Sequence, residues 1–137
     1  CIPTLVDRGD VVVCVGGGGI PVIETDEGFE GVEGVIDKDF TAEKLAEIVD
    51  ADNLVICTRV DNVCVDFNKP TQRALGTVTV DELKRYIDEG QFPVGSMLPK
   101  VEACMKFVES GEGRQATITS LERLSEISQG AGTHVVR

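Results

Sequence analysis

The spacing of apolar and polar positions along the chain changes several times, and each change marks an element. Asp10 to Val15 (DVVVCV) is a short unbroken apolar run ending in four glycines, the pattern of a strand buried on both faces. From Phe40 to Asp50, Leu45, Ile48 and Val49 fall on one helical stripe, with Asp39 or Thr41 available as N-cap. Asn53 to Thr58 (NLVICT) and Val63 to Phe67 (VCVDF) read as two further strands, the second closed by an Asn68-Lys69-Pro70 turn. Thr79-Val80-Asp81-Glu82 has capping-box spacing, and the helix it opens puts Leu83, Tyr86 and Ile87 on one face before Gly90. Pro99 suits the first turn of another helix, whose Val101, Cys104, Met105 and Val108 recur at helical spacing before Gly111. Gln115 to Thr119 reads as a strand, Leu121 to Ile127 as a short helix, and Gly132 to Val136 as a closing strand.

Strands alternating with helices imply crossover connections and a mainly parallel sheet covered on both faces. In such sheets ligands bind outside the carboxyl ends of the strands. The chemically unusual residues of this chain fall at such ends. No internal repeat, low-complexity tract or long linker interrupts the 137 residues, so they read as one domain or one lobe.

Composition narrows function more than fold. A formal net charge of −11 argues against a nucleic-acid partner, which needs clustered Lys and Arg. The acidic excess serves solubility, and it makes each lysine beside a glycine-rich turn a local positive point on a negative protein. No apolar stretch approaches the ~20 residues that cross a bilayer, and Cys1-Ile2-Pro3-Thr4-Leu5 lacks the form of a secretory signal. A cytoplasmic protein with no membrane partner is therefore expected. Five cysteines, at 1, 14, 57, 64 and 104, form no CxxC pair and fit neither zinc nor disulfide spacing, so they read as buried free thiols. With no initiator Met, the chain is expected to start inside a longer gene product.

Four constellations carry candidate chemistry. Gly16-Gly17-Gly18-Gly19 follows a strand-like run and can present bare N–H groups to an anion, or can equally form a tight turn. It matches neither a Walker A loop nor GxGxxG. Asp37-Lys38-Asp39 stands at a helix start, where free N–H groups and the macrodipole already favour an anion. There Lys38 adds a full charge, and Asp39 can cap the helix or hold a lysine ammonium. Gly95-Ser96-Met97-Leu98-Pro99-Lys100 puts a lysine in the first turn of a helix, against the dipole, a conflict that a bound phosphate would remove. Thr58 to Val63 ends a strand with polar groups that suit a ribose or adenine edge, or an ordinary turn. His134 has no nucleophile beside it and reads as structural. Two anion-reading lysines, a helix-start carboxylate and a glycine turn suit phosphoryl transfer, which needs positioning and charge neutralisation more than covalent help.

Taken together, VGGGGIPVI, GVIDKDF, the stretch from LVICTRVDNV to Lys69-Pro70, EGQFPVGSMLPKVEA, ITSLE and GTHVV resemble the carbamate kinases, in order and spacing, along essentially the whole chain. The resemblance implies the amino-acid kinase fold, a three-layer α/β/α sandwich with a mainly parallel sheet. Residues 1–137 would be its C-terminal nucleotide-binding half. It also implies reversible phosphoryl transfer between carbamoyl phosphate plus ADP and carbamate plus ATP, with Mg²⁺, in a homodimer serving arginine metabolism. By that resemblance Lys38 and Lys100 neutralise the transferring group, and Asp39 orients them. Thr58, Asp61, Asn62, Val63, Met97 and Pro99 line the nucleotide site, and Gly17 and Gly18 face the small substrate. Two positions depart from the family pattern: Cys64 stands where a tyrosine is usual, and Arg59 where Asp is common. The family's N-terminal half is absent, so the sheet should end in an unpaired edge, the fragment alone should be inactive, and the rest of the same protein becomes a required partner. Two other readings remain open: another amino-acid kinase, acting on acetylglutamate or UMP, or a non-catalytic nucleotide-binding fragment.

Overall fold

The computed structural model describes all 137 residues. A short helix α1 (Ile2–Asp7) and an antiparallel hairpin of β1 (Val22–Thr25) and β2 (Gly28–Gly31) precede the main body. The body is built from α2 (Lys38–Ile48), β3 (Asn53–Thr58), a two-residue pair β4 (Cys64–Val65) and β5 (Arg73–Ala74), β6 (Thr77–Thr79), α3 (Val80–Asp88), α4 (Met97–Glu109), β7 (Gln115–Ser120), a 3-10 turn (Leu124–Gln129) and β8 (Thr133–Val136). The main sheet has the order β3-β7-β8-β6. β3 runs parallel to β7 and β6 parallel to β8, while β7 and β8 are antiparallel. The last direction follows from the connection: a 3-10 turn too short for a crossover helix returns the chain at the same end of the sheet.

The core forms where α4 lies across the sheet. Val101, Cys104, Met105 and Val108, the four positions of its sequence stripe, are buried with Leu54, Ile56, Ile118 and Val135. α2 packs against α4 and β3, and α3 against α4 and β6, so the helices make one full outer layer. The 3-10 turn contacts β7, and the sheet face turned away from α4 is the barer one. On that side Val55 and Cys57 of β3 are exposed, whereas β7, flanked by two strands, is buried on both faces. The sheet is the mainly parallel α/β arrangement expected, with one outer layer thin.

Local sequence chemistry accounts for the helix ends. The Thr79 hydroxyl accepts from Glu82 N at 3.3 Å and Glu82 Oε2 accepts from Thr79 N at 2.9 Å, so both halves of the capping box form. Gly90 closes α3 at φ 68°, a left-handed position that glycine adopts without strain. Three expectations fail. Residues 10–15 make no strand: Val11 and Val13 are 97% and 99% exposed, because a strand buried on both faces needs neighbours that this chain does not place beside it. The strand expected over Val63–Phe67 shrinks to Cys64–Val65, since Asp66 and Asn68 turn at positive φ. Of the five thiols, all free, only Cys104 is buried.

Candidate active site

A cavity of about 410 Å³ opens where the carboxyl end of β3 meets the N-termini of α2 and α4. Its wall brings together Lys38, Asp39, Thr58, Asn62, Met97 and Lys100, all singled out in the sequence, with Arg59 and Cys64 beside them. Asp61, Val63, Pro99, Gly17 and Gly18 lie outside the lining. Val63 is fully buried, and its N–H donates to the Thr133 hydroxyl at 2.9 Å, so it anchors the loop from behind. Asn62 also works partly as an anchor, its Nδ2 donating to Leu75 O at 2.9 Å. Sequence reasoning gave no separate role to Asp37, Val60, Phe67, Gln91, Phe92 or Pro93, which complete much of the wall. The signal for Gln91-Phe92-Pro93 was available: an apolar residue before a proline, directly ahead of the glycine-serine helix entry.

The helix start at Asp37 divides work between two carboxylates. Asp37, extended at φ −64° and ψ 139°, is the N-cap, its Oδ1 accepting from Asp39 N at 2.8 Å. This corrects the expectation that Asp39 or Thr41 caps the helix. Asp39, relieved of capping, turns to α4 and accepts from Lys100 Nζ at 2.7 Å. The two side chains are only 9% and 14% exposed, so the pair is largely desolvated. The cation that sits awkwardly against the dipole of α4 thus has a counter-charge from α2, 61 residues away in sequence. Lys38 is exposed and has no carboxylate partner. Ser96, the N-cap of α4, makes no side-chain cap, which leaves that helix start open toward the cavity.

A second ion pair lies one turn further along α2. Glu43, fully buried, accepts from Lys106 Nζ at 2.9 Å. Burial pushes the Glu43 carboxyl up, and its hydrogen bond to Glu47, helped by Lys44, holds the Glu47 carboxylate down at about 2. The two pairs bolt α2 to α4 below the cavity.

The glycine turn stands apart. A Cβ on Gly18 would come within 2.1 Å of Ile36 O, so only glycine fits there. Gly19 N donates to the Thr41 hydroxyl at 2.7 Å, tying the turn to the helix that carries Lys38 and Asp39. Gly17 has open space around it.

Comparison with known proteins places this geometry. The amino acid kinase family matches residues 1–120. The chain is 57% identical to the carbamate kinase of Clostridium perfringens, over 99% of its own length and 44% of the relative's. It is 50% identical to carbamate kinase 2 of Staphylococcus aureus strain bovine RF122 / ET3-1, over 98% of this chain and 43% of that protein. Among solved structures, the carbamate kinase from Giardia lamblia bound to AMP-PNP superposes with a TM-score of 0.89 at 36% identity, covering 99% of this chain and 48% of that one. The chain spans less than half the length of these relatives.

Proposed function

This chain belongs to the amino acid kinase family, and from that premise we propose that it forms the nucleotide-side part of a carbamate kinase, which moves a phosphoryl group between carbamoyl phosphate and ADP. The observation that carries this is the Asp39–Lys100 pair beside the uncommitted Lys38 on one cavity wall. In the direction of ATP formation, the P–O bond to the carbamoyl oxygen breaks and a β-phosphate oxygen of ADP forms the new one. Negative charge shifts onto the carbamate oxygen, and the equatorial oxygens carry charge throughout. Lys38 and Lys100 neutralise that charge from fixed positions, and Asp39 keeps the Lys100 ammonium aimed. The open N-terminus of α4 adds backbone N–H groups for a phosphate oxygen. Phe67, Phe92 and Met97 supply apolar wall suited to the base.

Mg²⁺ belongs to the proposal as the nucleotide's counter-ion. The residues present do not build a resident site for it: Asp37 is occupied as a cap and Asp39 by Lys100. Gly17 and Gly18 facing the small substrate, Asp61, Val63 and Pro99 at the nucleotide, a homodimer, a cytoplasmic setting and a place in arginine metabolism come with this reading on resemblance alone. No helix is long and apolar enough to cross a membrane. The remaining part of the same protein is proposed to cover Val11, Val13 and Phe29, the last 76% exposed, which is more bare apolar surface than a lone domain carries comfortably.

The deciding experiment is carbamoyl phosphate-dependent ATP formation by the protein that carries this chain, with acetylglutamate and UMP as competing acceptors in the reverse direction. Activity confined to carbamate supports the proposal. Turnover of another acceptor, or ADP binding without turnover, selects one of the alternative readings.

A further inference from the structure

The cavity wall is more positive than its pairings require. Its cations are Lys38, Arg59 and Lys100, and its acids are Asp37 and Asp39. Lys100 is matched by Asp39, and Asp37 is occupied by the backbone of α2. Arg59 has no carboxylate partner, although the chain carries a net charge of −11. A guanidinium left uncompensated in so acidic a chain, on a concave surface shared with another free cation, is placed for an anion that comes from outside.

The backbone around Arg59 is held at both ends. Behind it, β3 pairs with β7 as far as Thr58 and Ser120. Ahead of it, Asn62 and Val63 are fixed by hydrogen bonds to Leu75 O and the Thr133 hydroxyl. The side chain therefore starts from a fixed point at the carboxyl end of a strand, where α/β sheets receive their ligands. A planar guanidinium prefers the paired oxygens of a phosphate, and the apolar part of the same wall suits a base.

Resting on the nucleotide-site reading above, we infer that Arg59 binds the terminal phosphate of a nucleoside di- or triphosphate and sets the preference of this site for those over the monophosphate. Arg59 is exposed and bonds to no other side chain, so its replacement leaves the core intact.

The test is calorimetric titration of ADP, AMP and adenosine into the protein that carries this chain, as parent, Arg59→Gln and Arg59→Lys. Losing one charge-assisted phosphate contact should weaken ADP by about tenfold, leaving AMP and adenosine within about twofold. Arg59→Lys should recover part of the loss, because it keeps the charge and not the fork. The ADP affinity of Arg59→Gln should also depend less steeply on salt. An unchanged ADP affinity in Arg59→Gln overturns the inference, as does an equal loss for all three ligands, which would mean a role at the base or in the loop. If the parent makes ATP from carbamoyl phosphate while Arg59→Gln binds ADP normally, Arg59 alone is wrong. If the parent makes none but prefers ADP over AMP through Arg59, the carbamate kinase reading falls and the phosphate contact stands. A parent that binds no ADP overturns both.

Discussion

Asp39→Asn is the sharpest perturbation of this site, because it keeps shape and size and removes only the charge that faces Lys100. The pair is 2.7 Å long with side chains 9% and 14% exposed. At an effective dielectric constant of ~20, two unit charges at that distance attract by about 6 kcal/mol before desolvation is subtracted. Removing one partner of such a pair costs about 3 kcal/mol, because the other charge is left uncompensated. The lost first-turn carboxylate of α2 adds about 0.5 kcal/mol through the helix dipole. Urea unfolding should therefore report a destabilisation of about 3.5 kcal/mol. For catalysis, an ammonium no longer held in place loses most of what preorganisation gives, roughly a hundredfold in kcat, or about 2.7 kcal/mol of barrier. The KM for ADP should stay within about threefold, since the amide replacing the Asp39 carboxylate would touch no nucleotide in this arrangement. Coupled measurement of ATP formation gives both parameters. A variant with kcat within about twofold of the parent refutes the idea that Asp39 orients Lys100, whatever the stability change.

Three further outcomes follow from particular contacts. Thr79→Ala should cost about 1 kcal/mol at neutral pH in urea unfolding. Its partner Glu82 is held below its ordinary 4.5 by the Thr79 backbone and hydroxyl, so the capping contribution is present above that value and is lost as pH falls through the lowered one; parent and Glu82→Gln should converge in acid, and a constant difference would refute it. Gly18→Ala should destabilise by about 1–3 kcal/mol because its Cβ meets a backbone oxygen, while Gly17→Ala should be within about 0.5 kcal/mol of the parent; equal effects would show that the turn sits elsewhere. In native protein, alkylation followed by mass spectrometry should modify the exposed Cys1 and Cys57 first and Cys104 last, its thiol buried and pushed far up, with ADP protecting Cys64 on the cavity wall and not Cys57.

The elements legible in the sequence were those fixed by neighbours a few residues away. The α4 stripe of Val101, Cys104, Met105 and Val108, the Thr79–Glu82 box and the NLVICT strand appear where the pattern puts them, because each is decided by local periodicity or a single turn. What misled was decided at a distance. DVVVCV has every local mark of a buried strand, yet a strand exists only by pairing, and pairing partners are not written in the run itself. The reversal of β8 depended on the length of the 3-10 connection, which the pattern reading took for a helix. The apolar wall of the cavity was missed for the same reason: Phe67 and Phe92 are ordinary apolar residues until the fold sets them beside Lys100.

The most instructive case is the pair of aspartates on either side of Lys38. In sequence Asp37 and Asp39 look alike, and Asp39 carries a choice of capping or charge pairing. In the structure capping falls to Asp37, whose extended backbone sets its carboxylate against the N–H of residue 39. That assignment frees Asp39, two positions on, to face α4. The conflict at Lys100, a cation at the wrong end of a helix dipole, is then resolved within the protein by the very carboxylate that capping released. A lysine that owes its position to an internal counter-ion still offers N–H groups to a ligand, since an ammonium has three and the observed bond to Asp39 uses one. The rule-breaking residue and the spare aspartate are therefore one feature seen from two helices, and under the proposed function it is their contact that would prepare the surface between α2 and α4 for a phosphoryl group.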